Sequence, residues 1–248
     1  MNGRKLIAMQ AGGRLLAEIK QNLVQAVKPG VQLIELDQLA DKLIQQTGGE
    51  PAFKKVPGYH HATCINVNAG VVHGIPSQYS IKPSDIVSID VGLYYQGYYT
   101  DTSTTIAVPP ISQTVKKFLQ LGQKALQRAI AQAQPGQRIG HISQAIEKTL
   151  IPQGYDIFVE LTGHGVGEKL HQEPMIPGRL TQPLNHTPLI TVGQTLAIEV
   201  IYSLGKAEMV VDPQDGWTIF AKDGKITGLF EETVAVTDSG PVILTQME

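Results

Sequence analysis

Four acidic residues sit where acids are costly. Asp90 lies in DIVSIDVGLYY (85–95), Glu199 in LAIEVIYS (196–203) and Glu231 in LFEETVAV (229–236). Those runs read as strands inside a core. Asp101 follows Asp90 past a Gln96-Gly97 turn signal. A loop centred between Tyr95 and Gln96 would set Asp90 and Asp101 directly opposite one another across a hairpin. Like charges paired across a sheet destabilise it, and burial strengthens the repulsion. A buried carboxylate must be paired with or bound to a cation. Lysine and arginine are sparse near all four acids, so a metal centre accounts for them better than salt bridges do.

His164 supplies a fifth candidate ligand, in Thr162-Gly163-His164-Gly165-Val166-Gly167. The glycines remove bulk around the ring and permit close backbone approach. Four carboxylates and one imidazole, with no thiolate implied, form a hard-to-borderline donor set suited to paired divalent Mn, Fe, Co or Zn. Two such ions about 3.5–4 Å apart can hold a bridging hydroxide and polarise a carbonyl. The chemistry expected is metal-assisted hydrolysis.

The elements that must position these groups show an internal echo. Helical periodicity runs from Lys5 to about Val27, with Leu6, Leu15, Leu16, Ile19 and Leu23 on one stripe, and again from Leu33 to Ile44. Val115 to Ala131 and His141 to Leu150 repeat the arrangement. PGVQLIELDQLADKLI from Pro29 aligns with PGQRIGHISQAIEKTL from Pro135 at a constant offset of 106. VSIDVGLYY from Val87 resembles LAIEVIYSL from Leu196, which places Asp90 on Glu199. The expectation is a single α+β catalytic domain over 1–248, built from two pseudo-symmetric halves with antiparallel sheets and outer helices. The halves, about 1–108 and 111–248, would meet near Val108-Pro109-Pro110, where prolines end a strand pattern.

Composition narrows the class. The 248 residues carry 20 basic and 22 acidic side chains for a net charge of −2, which argues against nucleic acid or a membrane surface as partner. No apolar run approaches the roughly 18–20 residues needed to cross a bilayer. The N-terminal MNGRKLIAMQAGGRLLAEI reads as an amphipathic helix rather than a signal peptide. One cysteine, Cys64, excludes an internal disulfide and suits a reducing, cytoplasmic compartment.

Taken in order, Asp90, Asp101, GHGVG around His164, Ile198-Glu199 and Phe230-Glu231 resemble the pita-bread metallopeptidases. VVHGIP (71–76), DTS (101–103), GHGVGEKLHQEP (163–174) and DGWT (215–218) are similar to the type I methionine aminopeptidase branch. That resemblance covers nearly the whole chain. It implies removal of the first methionine from nascent polypeptides that carry a small second residue. It also implies two divalent metals (Co, Mn, Fe or Zn) on Asp90, Asp101, His164, Glu199 and Glu231, with Asp101 and Glu231 bridging both. Glu199 would also handle the proton of the attacking water, and His171 would stabilise the tetrahedral intermediate. His73 would contact the substrate backbone or assist proton transfer near its amine. Tyr59, Cys64, Leu170 and Trp217 would line the methionine pocket. The substrate partners are then nascent-chain N-termini, with the ribosome a candidate contact and a monomer the expected state.

The sequence departs from that pattern at several places. Val200 stands where proline is usual, Glu232 replaces a histidine, and His60-His61-Ala62-Thr63 replaces a Pro-Lys-Ser stretch. Asn68-Ala69 and Val72 also differ. None of these removes a ligand. Strand alternation turns Glu232 away from Glu231, and His60 and His61, beside Pro57-Gly58, are expected at the pocket rim or surface rather than on a metal. Two other readings compete: an Xaa-Pro aminopeptidase of the same fold, against which VVHGIP and DGWT argue, and a non-catalytic binding paralogue, against which the complete ligand set argues.

Overall fold

The structure, a computed structural model, describes residues 3–247. Met1 and Asn2, read above with the first helix, lie outside the described residues, as does Glu248. Four α-helices are α1 (Gly3–Ala26), α2 (Leu33–Gln46), α3 (Gln113–Ile130) and α4 (Ile139–Leu150). The first-half strands are β1 (Glu50–Pro51), β2 (Thr63–Val67), β3 (Gly70–Val72), β4 (Ile86–Tyr95) and β5 (Tyr98–Ala107). The second half adds β6 (Asp156–Ile157), β7 (Thr162–Gly165), β8 (Gln172–Pro177), β9 (Thr195–Ser203), β10 (Met209–Val211), β11 (Ile219–Ala221), β12 (Thr227–Thr237) and β13 (Gly240–Ile243). Pro109-Pro110 lies between β5 and α3.

The central sheet runs β1-β4-β5-β12-β9-β7-β8, with β2 on β4, β6 on β9 and β13 on β12; β10-β11-β3 form a separate sheet. Its long strands are buried over most of both faces, but the faces differ in what they carry. Val87, Ile89, Val91 and Leu93 of β4 pack with Leu16, Leu23, Leu36 and Ile44 from α1 and α2. Ile198, Val200 and Tyr202 of β9 and Phe230 of β12 pack with Phe118, Ile142 and Ile146 from α3 and α4. The helices therefore cover one face. Alternation sends Asp90, Asp101, Glu199 and Glu231 to the other.

The pseudo-repeat extends to backbone detail. Gly30 (φ 92°) and Gly136 (φ 81°) turn the chain ahead of α2 and α4, a left-handed conformation that glycine adopts at little cost. Their N–H groups donate to Ile81 at 2.8 Å and to Ile190 at 2.9 Å. At each helix start the backbone N–H donates to the side chain three residues on: Gln32 to Glu35 at 2.7 Å, and Arg138 to His141 at 3.0 Å. All of these first-half and second-half positions differ by 106, except the carbonyl partners.

One expectation is corrected. Gln96 (φ 49°) and Gly97 (φ 90°) are both left-handed, and Tyr95 pairs with Tyr98. A two-residue turn with positive φ at both positions matches the strand twist, so the hairpin is centred between Gln96 and Gly97. Asp90 consequently faces Ser103, and Asp101 faces Gly92. The aspartates are diagonal neighbours on one face, not an opposed pair. The acids that oppose each other directly are Glu199 and Glu231.

Candidate metal and substrate site

Strand register builds the site. Cys64, Asp90, Ser103, Glu231 and Glu199 fall in one lateral row across β2, β4, β5, β12 and β9. Asp101 sits two residues along β5 from that row. The Thr233 hydroxyl fixes its backbone, accepting from Asp101 N–H at 2.9 Å and donating to Asp101 C=O at 2.7 Å. Gly92 opposite leaves room for the Asp101 side chain: a Cβ there would come within 3.3 Å of Asp101 Oδ1. His164 on β7 pairs with Ala197, which brings its Nε2 to 3.5 Å from Glu199 Oε1.

The ligand atoms of Asp101, His164 and Glu231 all lie within 4.8 Å of one another. Asp90 Oδ1 and Glu231 Oε1 are buried with no hydrogen-bond partner among the described residues. Such orphaned oxygens are expensive unless something positive meets them, and no lysine or arginine lines the cavity they face. Asp90 and Glu199 keep a small edge open to that cavity, while Asp101, His164 and Glu231 are closed over. Burial pushes Asp90 up to about 7. Burial, and then the charges of Asp90 and Glu199, push Asp101 well above the usual carboxylate range. Glu199 and Glu231 rise for the same first reason, with neighbouring carboxylates adding to it.

Without a cation, burial favours the protonated form of the four acids; divalent ions would reverse that preference. His164 completes a compatible set. Its Nδ1 donates to the Gly165 carbonyl at 2.9 Å, which leaves Nε2 with the lone pair a metal needs. Burial, then His171, lower its pKa to about 4, so the ring is neutral near pH 7. The residues present therefore fit a pair of divalent ions.

The cavity has a volume of about 270 Å³ and is lined by all eleven residues singled out from the sequence. His171 stands edge-on to His164 with ring centroids 4.4 Å apart. His73 follows β3 at φ 57°, a strained conformation for a non-glycine residue. Burial lowers the pKa of both histidines, with His171 adding to the effect on His73. Tyr59, Cys64 and Leu170 form one apolar wall with Phe53, against which Trp217 and Val56 pack. Tyr59 and Trp217 meet edge to face at 5.1 Å.

Of the departures noted in the sequence, Val72 lines the cavity beside His73, whereas Glu232 and His60-His61 settle outside it. Glu232 turns to the helix face and pairs with Lys20 Nζ at 2.7 Å. His61 lies 3.3 Å from Asp37, and His60 is exposed. Sequence reasoning missed Phe53, Val56, Glu160, Leu161, Thr162 and Ile201 in the cavity wall. All but Ile201 lie in irregular segments, a short 3-10 helix or at a strand end, where periodicity carries no signal.

A model of metallopeptidase family M24 matches residues 7–238. The chain belongs to metallopeptidase family M24. Among M24 relatives, methionine aminopeptidase 1 of Bacillus subtilis is 37% identical over 98% of this chain and 97% of its own length. The crystal structure of the Thermotoga maritima methionine aminopeptidase superposes with a TM-score of 0.96 at 33% identity, covering 100% of this chain and 98% of that one. A prolidase from Pyrococcus furiosus shares the fold alone, with a TM-score of 0.81 at 21% identity, covering 100% of this chain and 65% of that one. Among the described residues no helix is long and apolar enough to cross a membrane.

Proposed function

We infer that this M24 chain is a methionine aminopeptidase, removing N-terminal methionine from polypeptides by metal-dependent hydrolysis. The observation that carries the reading is the pair of buried, unpartnered oxygens on Asp90 and Glu231, beside Asp101 and His164 in a cavity that no described lysine or arginine lines. Asp90, Asp101, His164, Glu199 and Glu231 would hold two divalent ions. Ions bound there supply Lewis acidity and lower the pKa of water toward neutrality.

Glu199, with its edge open to the cavity, takes and returns the proton of the attacking water. His171, neutral and beside His164, donates to the scissile carbonyl oxygen as charge builds on it. His73 contacts the substrate backbone near the amine. The wall of Tyr59, Cys64, Leu170 and Trp217 accepts an unbranched thioether, whose flexibility and polarizability suit an aromatic lining. A cavity of about 270 Å³ shared by that side chain and the reacting groups favours a small second residue.

The chain acts as one catalytic unit, as a monomer in the cytoplasm, on nascent-chain N-termini; a ribosome contact would use the domain surface. A lone buried cysteine and a net charge of −2 support that setting, with no nucleic acid or membrane as partner.

The test is release of methionine from Met-Ala-Ser, with Leu-Ala-Ser and Ala-Pro-Ala as controls. The protein is stripped with chelator and reloaded with Mn, Fe, Co or Zn in turn. Metal-dependent cleavage of the methionine peptide alone is expected. Cleavage of Ala-Pro-Ala instead would move the chain to proline-directed peptidases, and silence with every metal in folded protein would overturn the reading.

A further inference from the structure

Asp37 is a buried acid on the apolar stripe of α2, beside Leu33, Leu36, Ala40 and Ile44. Its Oδ1 accepts from the N–H groups of Ala62 and Thr63, both at 2.9 Å, and from the Thr63 hydroxyl at 2.8 Å. Its Oδ2 lies 3.3 Å from His61 Nδ1. Charged acceptors with several donors make strong, geometrically fixed contacts.

The second half supplies an internal control. At the equivalent place on α4, 106 residues on, stands Ser143, also buried. The helix and its packing therefore do not require a carboxylate. Asp37 instead reaches off its helix to pin residues 61–63, the segment that joins Tyr59 to Cys64. The Tyr59 hydroxyl donates to the Thr63 carbonyl at 2.8 Å. The Tyr59 ring stands edge-on to Trp217 at 5.1 Å, to His61 at 5.8 Å and to Phe53 at 6.5 Å.

We propose that Asp37 and His61 are positioning residues for the side-chain pocket. Asp37 fixes the backbone that carries Tyr59 and Cys64, and His61, which does not itself line the cavity, braces the Tyr59 ring. Together they set how closely that wall fits an unbranched side chain. The pair gives a role to His61, which the candidate ligand set leaves unused. The proposal rests on the reading that this wall receives the methionine side chain.

The test compares wild type with Asp37→Ala, Asp37→Asn and His61→Ala, each metal-loaded, on Met-Ala-Ser and Leu-Ala-Ser. In Asp37→Ala and His61→Ala, KM for the methionine peptide should rise about tenfold with kcat nearly unchanged, since a loosened pocket loses binding common to ground and transition states. The preference for methionine over leucine should fall in step, with metal content unaltered. Asp37→Asn keeps the Oδ1 acceptor and should retain most of the preference. A second readout needs no turnover: in metal-free protein the emission of Trp217, the one tryptophan, should shift in both alanine variants, and its response to added L-norleucine should weaken.

Wild-type KM, selectivity and Trp217 emission in His61→Ala would overturn the proposal. The His61 side chain is 24% exposed and belongs to none of the apolar clusters; with its fold checked by circular dichroism, that variant decides the matter even where Asp37→Ala does not fold. A wild-type enzyme that fails to prefer methionine would defeat the pocket reading instead, while the Trp217 readout still tests the brace.

Discussion

Stripping the divalent ions should leave a protein that loses stability as pH rises through the neutral range. In the metal-free fold, burial holds Asp90 at a pKa of about 7, against an ordinary value of 3.8. Below pH about 4 the group is protonated in both folded and unfolded chains and changes nothing. Above that, the unfolded chain gains by ionising and the folded chain does not, until pH passes the folded pKa. Stability therefore falls with rising pH across that window. At about 1.4 kcal/mol per unit, Asp90 alone removes about 2–3 kcal/mol between pH 5 and pH 8. Asp101, Glu199 and Glu231 are displaced in the same direction and deepen the loss. With divalent ions bound, the carboxylates stay ionised in the fold and the slope should vanish or reverse. Urea denaturation at pH 5 and pH 8, with chelator and with Mn, reads the difference. For a slope of about 2–3 kcal/mol/M the chelated midpoint should drop by about 1 M. A chelated protein as stable at pH 8 as at pH 5 would refute the assignment of uncompensated buried acids.

Other outcomes follow from the same geometry. Asp101→Asn should lose one ion and lower turnover more than about a hundredfold with an unchanged circular dichroism spectrum; wild-type turnover would sink a two-ion site. His171→Ala should lower kcat by about 10²–10³ with little change in KM, and an effect confined to KM would reassign it to ground-state binding. Glu232→Gln should leave metal content and kcat alone, because Glu232 faces Lys20, while costing about 1–2 kcal/mol of stability in thermal or urea unfolding. Gly13→Ala should cost about 1–3 kcal/mol by overpacking, since its Cβ would collide with the Leu244 carbonyl. Activity per folded molecule should be preserved, as measured by active-site-normalised kcat.

The candidate ligands stand out in the sequence because an acid inside an apolar strand contradicts its surroundings. Asp90 and Glu199 showed this most clearly, and the 106-residue offset tied the halves together through Gly30 and Gly136. Register was harder to read. Moving the hairpin centre by one residue shifts pairing by two, which keeps Asp90 and Asp101 on one face but changes which acids oppose. Asp37 was hidden for a different reason: an aspartate on a helical stripe reads as a face boundary until its four donors are seen. Phe53 and Val56 reach the cavity only through the irregular path of residues 51–59, which no local pattern encodes.

The number of divalent ions per folded chain, counted by mass spectrometry after loading and dialysis, tests the five-residue site most directly. Two ions in the wild type, and fewer in Glu231→Gln, would agree with a site held by Asp90, Asp101, His164, Glu199 and Glu231. A folded wild-type chain that retains none, under conditions where it still releases methionine, would contradict it.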